Sequence, residues 1–231
     1  MSRYYPQEDR QLLAVDCIIF GFDHGQLKLL LLKRNFEPDK GKWSLAGGFL
    51  NKSESLDAAA GRVLNQLTGL RDVFLEQLRV YGEPERDPGG RVVSVAYFAL
   101  LKVEDYNEDL VYGNGAHWQA IENIPDLLYD HRVMVDKALR RLRRKAKTQP
   151  IGFELLPESF TLPQLQSLYE AIYQKELDKR NFRKKILSMD LLDKLTEKDK
   201  SASKKGAFLY QFNQSKYEEL VAKGFYFSLD V

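Results

Sequence analysis

Residues 48–70 decide the fold: Gly48-Phe-Leu-Asn-Lys-Ser-Glu54, then seven residues, then Arg62-Val63-Leu64-Asn65-Gln66-Leu67-Thr68-Gly69-Leu70. The stretch reads as a loop, a helix over roughly 54–68, and a turn at Gly69. Ser53 or Ser55 can cap the helix, and Glu54 and Asp57 suit its positive N-terminal end. Positions 63, 66 and 67 are spaced i, i+3, i+4 and so share one face. Val63, Gln66 and Leu67 stand there, two apolar side chains and one neutral amide. Glu54 is the nearby carboxylate, and its plain structural reading is a first-turn helix acid that pairs with Arg62.

This stretch resembles the Nudix box, G-x5-E-x7-R-E-U-x-E-E-x-G-U, where U is apolar. Gly48, Glu54, Arg62, Leu64, Gly69 and Leu70 match in register. The preceding Trp43-Ser-Leu-Ala-Gly-Gly48 is similar to the W-x-L-P-G-G that leads into the box, with Ala46 in place of proline. In hydrolases of this family, glutamates at the positions of Val63, Gln66 and Leu67 hold Mg²⁺, which binds a diphosphate and helps to activate water. Mg²⁺ needs hard oxygen ligands, which valine and leucine do not supply. The resemblance therefore implies a retained scaffold without its metal anchors: no metal, no cofactor, and sensing in place of hydrolysis.

Outward from the box, residues 12–33 read as a β-hairpin with a turn at Asp23-His-Gly25, followed by a loop at 35–42. Residues 73–81 and 91–102 read as strands separated by Asp87-Pro-Gly-Gly90, 115–121 as a further strand, and 125–146 as a helix or helix pair. Pro150 then breaks the chain, which sets domain limits of 1–149 and 150–231. In the second part Thr161 is placed to cap a helix to about Tyr173, with Leu165, Leu168, Tyr169 and Ile172 on one stripe. Asp178 can cap a second helix, 179–189, in which Phe182 and Ile186 face inward. A lysine-rich loop at 197–206 leads into an alternating strand, 207–212. Helix, tight turn, basic helix, basic loop and strand make a winged helix-turn-helix.

The net charge is only +2, so its distribution matters more than its size. Residues 132–147 carry eight basic side chains against Asp136, and further clusters lie at 179–185 and 198–205. Three such clusters suggest a polyanion-binding face, against the plainer reading of solvated helix surface. In the winged-helix reading Lys179, Arg180, Asn181, Arg183 and Lys184 are the DNA contacts of the second helix, and Lys204 and Lys205 those of the wing. Arginine and asparagine suit guanine and adenine edges, and lysine suits phosphates. The one cysteine, Cys17, excludes an intramolecular disulfide. The N-terminus has no apolar signal-peptide core and no apolar run is long enough to span a membrane, so a cytoplasmic protein without a membrane partner is expected.

The combination, with Phe153–Ile172 and Leu177–Lys185 following the box domain, resembles the Nudix-related transcriptional regulators, the NrtR and AraR branches. The resemblance covers nearly the whole chain. It implies an α+β protein: an N-terminal Nudix-like α/β/α sandwich and a C-terminal winged helix-turn-helix. It also implies a homodimer on a double-stranded DNA operator that lets go when a small effector binds. The NrtR branch responds to ADP-ribose and controls NAD metabolism; AraR of Bacteroidetes responds to L-arabinose. On overall likeness the arabinose branch is favoured, with ADP-ribose as the alternative and a divergent Nudix hydrolase as a further one. Effector contacts implied by the family pocket are Arg34, Trp43, Glu85, Arg86 and Tyr97. The competing reading makes Arg86 a turn stabiliser and Trp43 a core residue.

Overall fold

β1 (Leu12–Asp23) lies inside the sheet and is buried from Ala14 to Phe22; successive side chains point to opposite faces, so both of its faces are covered. It turns through His24 (φ 44°) and Gly25 (φ 83°) into β2 (Gln26–Lys33). Two positive-φ residues in a two-residue loop match the right-handed twist of the flanking strands. β3 (Trp43–Ser44), β4 (Ala46–Phe49), β5 (Glu76–Tyr81), β6 (Val92–Lys102) and β7 (Ala116–Ala120) complete a seven-stranded sheet. Its main order is β3-β2-β1-β6-β5, with β4 paired to β1 and β7 to β2. The structure is a computed structural model and describes residues 10–35, 37, 39–200 and 205–230.

The box helix, α1 (Leu56–Thr68), starts where Ser55 Oγ accepts the Ala58 N–H at 3.2 Å. It ends at Gly69, whose φ of 77° places it in the left-handed region used by helix C-caps. Of the two serines expected at its start, Ser55 is the cap. α1 lies against β4, and a Cβ on Gly48 would come within 2.9 Å of the Val63 side chain, so the motif glycine permits this close approach. A short helix, α2 (Glu108–Gly113), and α3 (His131–Thr148) follow.

The helix expected from 125 begins only at His131. Residues 125–130 instead hold an extended corner in which the Leu128 N–H donates to Trp43 O at 2.9 Å. Tyr129 at φ 51° cannot continue a right-handed helix, so the corner closes before α3 opens. The strand expected from 73 begins at Glu76, and α2, β3 and β4 have no counterpart among the elements expected from sequence.

The remaining elements are β8 (Phe160–Thr161), α4 (Leu162–Tyr173), α5 (Lys179–Ser188), β9 (Leu192–Asp199), β10 (Ala207–Phe212) and α6 (Gln214–Ala222). The three strands form a separate sheet in the order β8-β10-β9. Thr161 and Gln164 form a reciprocal capping box at α4, which satisfies two helix-end N–H groups. Asp178 Oδ1 accepts the Asn181 N–H at 2.8 Å and starts α5. Between the helices Glu170 Oε1 accepts both the Leu177 N–H at 2.9 Å and the Gln166 amide at 2.8 Å, fixing the turn. Leu165, Leu168, Tyr169, Ile172, Phe182 and Ile186 are fully or almost fully buried, as their spacing required. The expected basic loop is shorter than 197–206, because β9 runs on to Asp199.

The chain divides into two compact units. The first holds the described residues up to Phe20, Leu29–Ala99 and Glu104–Ala138; the second holds Gly21–Lys28, Leu100–Val103 and those from Leu139 on. The division falls inside α3, whereas the expected limits of 1–149 and 150–231 place the whole of α3 in the first domain.

Candidate effector and DNA-binding sites

In the first unit the face of α1 that resembles a metal cradle does not fit a metal. Val63 is buried against Gly48, Leu67 is half-buried and Gln66 is exposed. Glu54 has both oxygens committed. Oε2 accepts Arg62 Nε at 2.8 Å, and Oε1 accepts Arg62 Nη2 at 2.6 Å and the Asn51 N–H at 2.7 Å. The arginine hydrogen bond and the Asn51 N–H draw the Glu54 carboxyl down to about 2. Arg62 is equally committed, donating also to Phe49 O at 3.0 Å and Gln66 Oε1 at 3.1 Å. The pair ties the box loop to the helix. One saturated carboxylate and an amide are not the hard oxygen cage that Mg²⁺ requires.

Beside this scaffold lies a buried polar network. Asp16 is the lone charge in the apolar run of β1. It accepts the Ser94 hydroxyl at 2.5 Å and lies 3.6 Å from His131 Nε2 and 3.7 Å from Arg86 Nη2. Arg86 grips Asp130 with two hydrogen bonds, at 2.9 and 2.7 Å. His131 Nδ1 accepts the Leu45 N–H at 3.1 Å, which makes Nε2 the protonated nitrogen of the neutral ring. Burial pushes the His131 pKa below its ordinary value and keeps it neutral at pH 7. A Cβ on Gly47 would fall 2.2 Å from Asp16 Oδ1, so this glycine makes room for the carboxylate.

A cavity of about 500 Å³ opens next to the network, lined by Asp39 and Lys42, by Pro88, and by residues 126–129. Its chemistry is mixed: two carboxylates, one ammonium, a tyrosine ring and leucines. Such a lining can take a polar ligand with a planar part.

The five expected effector contacts do not gather there as one set. Arg34 and Trp43 adjoin the cavity: the Arg34 N–H donates to Lys42 O at 3.0 Å, and Trp43 pairs with Leu127. Trp43 is half-buried, edge-on to His117 at 5.4 Å, with the Lys33 ammonium over its ring. Arg86 is buried and fully engaged by Asp130, which fits the stabilising reading of that residue. Glu85 is exposed on the same loop. Tyr97 is 1% exposed, and its hydroxyl donates to Asp57 Oδ1 at 2.6 Å, so it sits in the core under α1. Sequence reasoning does not single out Asp39, Asp126 and Tyr129 on the cavity wall. No motif marks them, because they converge only through the corner at 126–130.

In the second unit α5 exposes Lys179, Arg180, Asn181, Arg183 and Lys184 while burying Phe182 and Ile186. The cations sit at a helix N-terminus, where backbone N–H groups add positive potential. Lys205 is exposed at the end of the wing loop; Lys204 lies outside the described residues. The wing carries one further lysine that sequence reasoning does not single out, Lys194, beside Lys198 of the third basic cluster. Lys194 and Lys198 both lie over the Phe208 ring, at 3.6 and 4.3 Å from its centroid. An irregularity in the pairing of β9 with β10 puts both on that ring, and strand periodicity cannot reveal it.

Residues 10–138 match the NUDIX domain family, and residues 152–212 match the NrtR DNA-binding winged helix domain. The chain is 36% identical over 211 residues to the ADPR responsive transcriptional repressor NtrR of Acinetobacter baylyi, covering 90% of this chain and 84% of the relative. Among solved structures, Shewanella oneidensis NrtR complexed with a 27mer DNA is 31% identical with a TM-score of 0.72, over 87% of this chain and 93% of that one. The NUDIX domain of the same protein complexed with ADP ribose is 32% identical with a TM-score of 0.54, over 60% and 94%. Both halves of the chain, in this order, thus have the same kind of relative. The chain belongs to the NrtR-type family of Nudix-related transcriptional regulators.

Proposed function

We propose that this protein is a DNA-binding transcriptional repressor whose Nudix-like unit senses ADP-ribose, and that it does not hydrolyse its ligand. The observation that carries the reading is the union, in one chain, of a box helix whose metal face is Val63, Gln66 and Leu67 with a winged helix whose α5 exposes Lys179, Arg180, Asn181, Arg183 and Lys184. Without metal ligands a diphosphate can be bound by cations but not activated for attack by water. Binding without turnover is what a sensor requires.

The preference for L-arabinose rests on overall likeness, and neither the cavity nor the relatives support it. One relative is named for its response to ADPR and the Nudix domain of another is solved with ADP ribose, which favours the alternative. A homodimer on a palindromic operator follows from the need to present two recognition helices to two half-sites.

The test is fluorescence anisotropy on a labelled operator fragment found by selection from random duplexes. ADP-ribose is expected to release the DNA, L-arabinose to leave it bound, and ADP-ribose to be recovered intact with Mg²⁺ present. Release by arabinose alone, or enzyme-like cleavage of ADP-ribose, overturns the reading.

A further inference from the structure

Six described residues other than glycine hold a positive φ, and two of them, Asp39 at 69° and Tyr129 at 51°, line the same cavity. Aspartate tolerates that conformation. A bulky aromatic residue there is an outlier that persists only where its surroundings over-determine it, and such residues cluster at ligand clamps and switches.

The surroundings of Tyr129 do over-determine it. Its ring lies edge-on to His131, 5.8 Å between centroids. The next residue, Asp130, is held by Arg86 through two hydrogen bonds, and the one after it, His131, accepts the Leu45 N–H and opens α3. An aromatic face in a cavity is thus joined, within one strained residue, to a pinned pair at the start of a helix that runs to Thr148. Lys42 Nζ pairs with Asp39 Oδ1 at 2.6 Å on the cavity wall, so a diphosphate would draw the ammonium away from Asp39, leaving Asp39 and Asp126 to ribose hydroxyls and the Tyr129 ring to the planar base.

We infer that Tyr129 stacks on the base of a nucleoside-diphosphate effector, and that the strained corner at 129–131 is the element that effector binding resets. The inference rests on the ADP-ribose reading above. It assigns two roles: Tyr129 touches the ligand, and Asp130 positions the corner through Arg86.

The test uses the full chain, with calorimetry for ADP-ribose binding and operator anisotropy for the response. Tyr129→Ala is expected to weaken ADP-ribose about tenfold or more, the scale of base–aromatic stacking, and Tyr129→Phe by much less. Asp130→Asn is expected to hold ADP-ribose within about threefold of wild type, a small change in binding free energy, while losing most of the ligand-driven DNA release. If Asp130→Asn does not fold, Asp130→Glu, which keeps the charge but shifts it out of the Arg86 fork, carries the same expectation. A wild-type protein that ignores ADP-ribose removes the functional reading and this inference with it. A responsive wild type beside a Tyr129→Ala variant that binds ADP-ribose equally well removes this inference alone, and so does full DNA release by Asp130→Asn.

Discussion

Arg62 holds both carboxylate oxygens of Glu54, Nε to Oε2 at 2.8 Å and Nη2 to Oε1 at 2.6 Å. The two residues are separated by the loop-to-helix junction of the box, so the fork fixes that junction. In a hydrolase the same arginine would orient acids around a metal. Among the described residues the acid it reaches is Glu54, and the fork ties loop to helix.

The tie is pH-dependent with a definite sign. Glu54 titrates at about 2 in the folded protein against an ordinary 4.5. A carboxyl depressed on folding contributes stability that is present above its unfolded value and is lost as pH falls toward its folded value. The urea midpoint of wild type is therefore expected to exceed that of Glu54→Gln above pH 4.5, with the gap closing as pH falls toward 2. A gap that stays constant across this window would show that the fork adds nothing electrostatic.

The Asp16–Arg86–Asp130–His131 network makes a second pair of expectations. Arg86→Ala leaves two carboxylates without their shared cation, one of them buried; removing one partner of a buried pair costs about 3–5 kcal/mol. Denaturant unfolding should register a loss of that order. His131 has its pKa lowered by burial, so the unfolded chain takes up a proton there before the folded one does. Stability contributed by the neutral ring is then lost as pH falls below the ordinary 6.5 and through the lower folded value. A midpoint that is flat between pH 7 and pH 5 in wild type would contradict this.

What the sequence disclosed follows a physical line. Local chemistry was readable: the cap at Thr161, the turn at His24-Gly25, the stop at Gly69 and the inward stripe of α4 each depend on residues a few positions apart. The exposed face of α5 was readable for the same reason, since Phe182 and Ile186 fix which side points in. Non-local geometry was not. Tyr97, expected among the effector contacts, is 1% exposed, because Asp57 arrives from another element to take its hydroxyl. Tyr129 looked helical and is a strained corner, because Trp43 O captures the Leu128 N–H. β9 was hidden by its charge: it is an edge strand in which most side chains face outward, so its lysines and acids mask the period.

In the second unit α5 buries Phe182 and Ile186. Ile186 is fully buried at the base of α5, and truncation of such a residue to alanine costs about 2–5 kcal/mol. Thr161→Ala removes one half of a capping box, worth about 1 kcal/mol. Thermal unfolding should rank Ile186→Ala well below Thr161→Ala, and both below wild type. Equal midpoints for the two variants would mean that α5 packs less firmly than its burial states.

The exposed residues of α5 and the wing separate into two kinds of effect. Arg180 and Asn181 have side chains suited to base edges, so Arg180→Ala with Asn181→Ala should erase the preference for operator over random duplex, at about 1–3 kcal/mol for each base edge no longer read. Effector binding, measured by calorimetry, should not follow. Lys194 and Lys198 lie over the Phe208 ring, and as compact point charges they suit phosphates. Replacing both with alanine should weaken operator and random duplex alike. It should also flatten the plot of log affinity against log salt by about 0.9 for each phosphate that is no longer neutralised. If the lysine pair changes sequence preference while leaving the salt slope intact, the wing reads bases and the division between helix and wing is wrong.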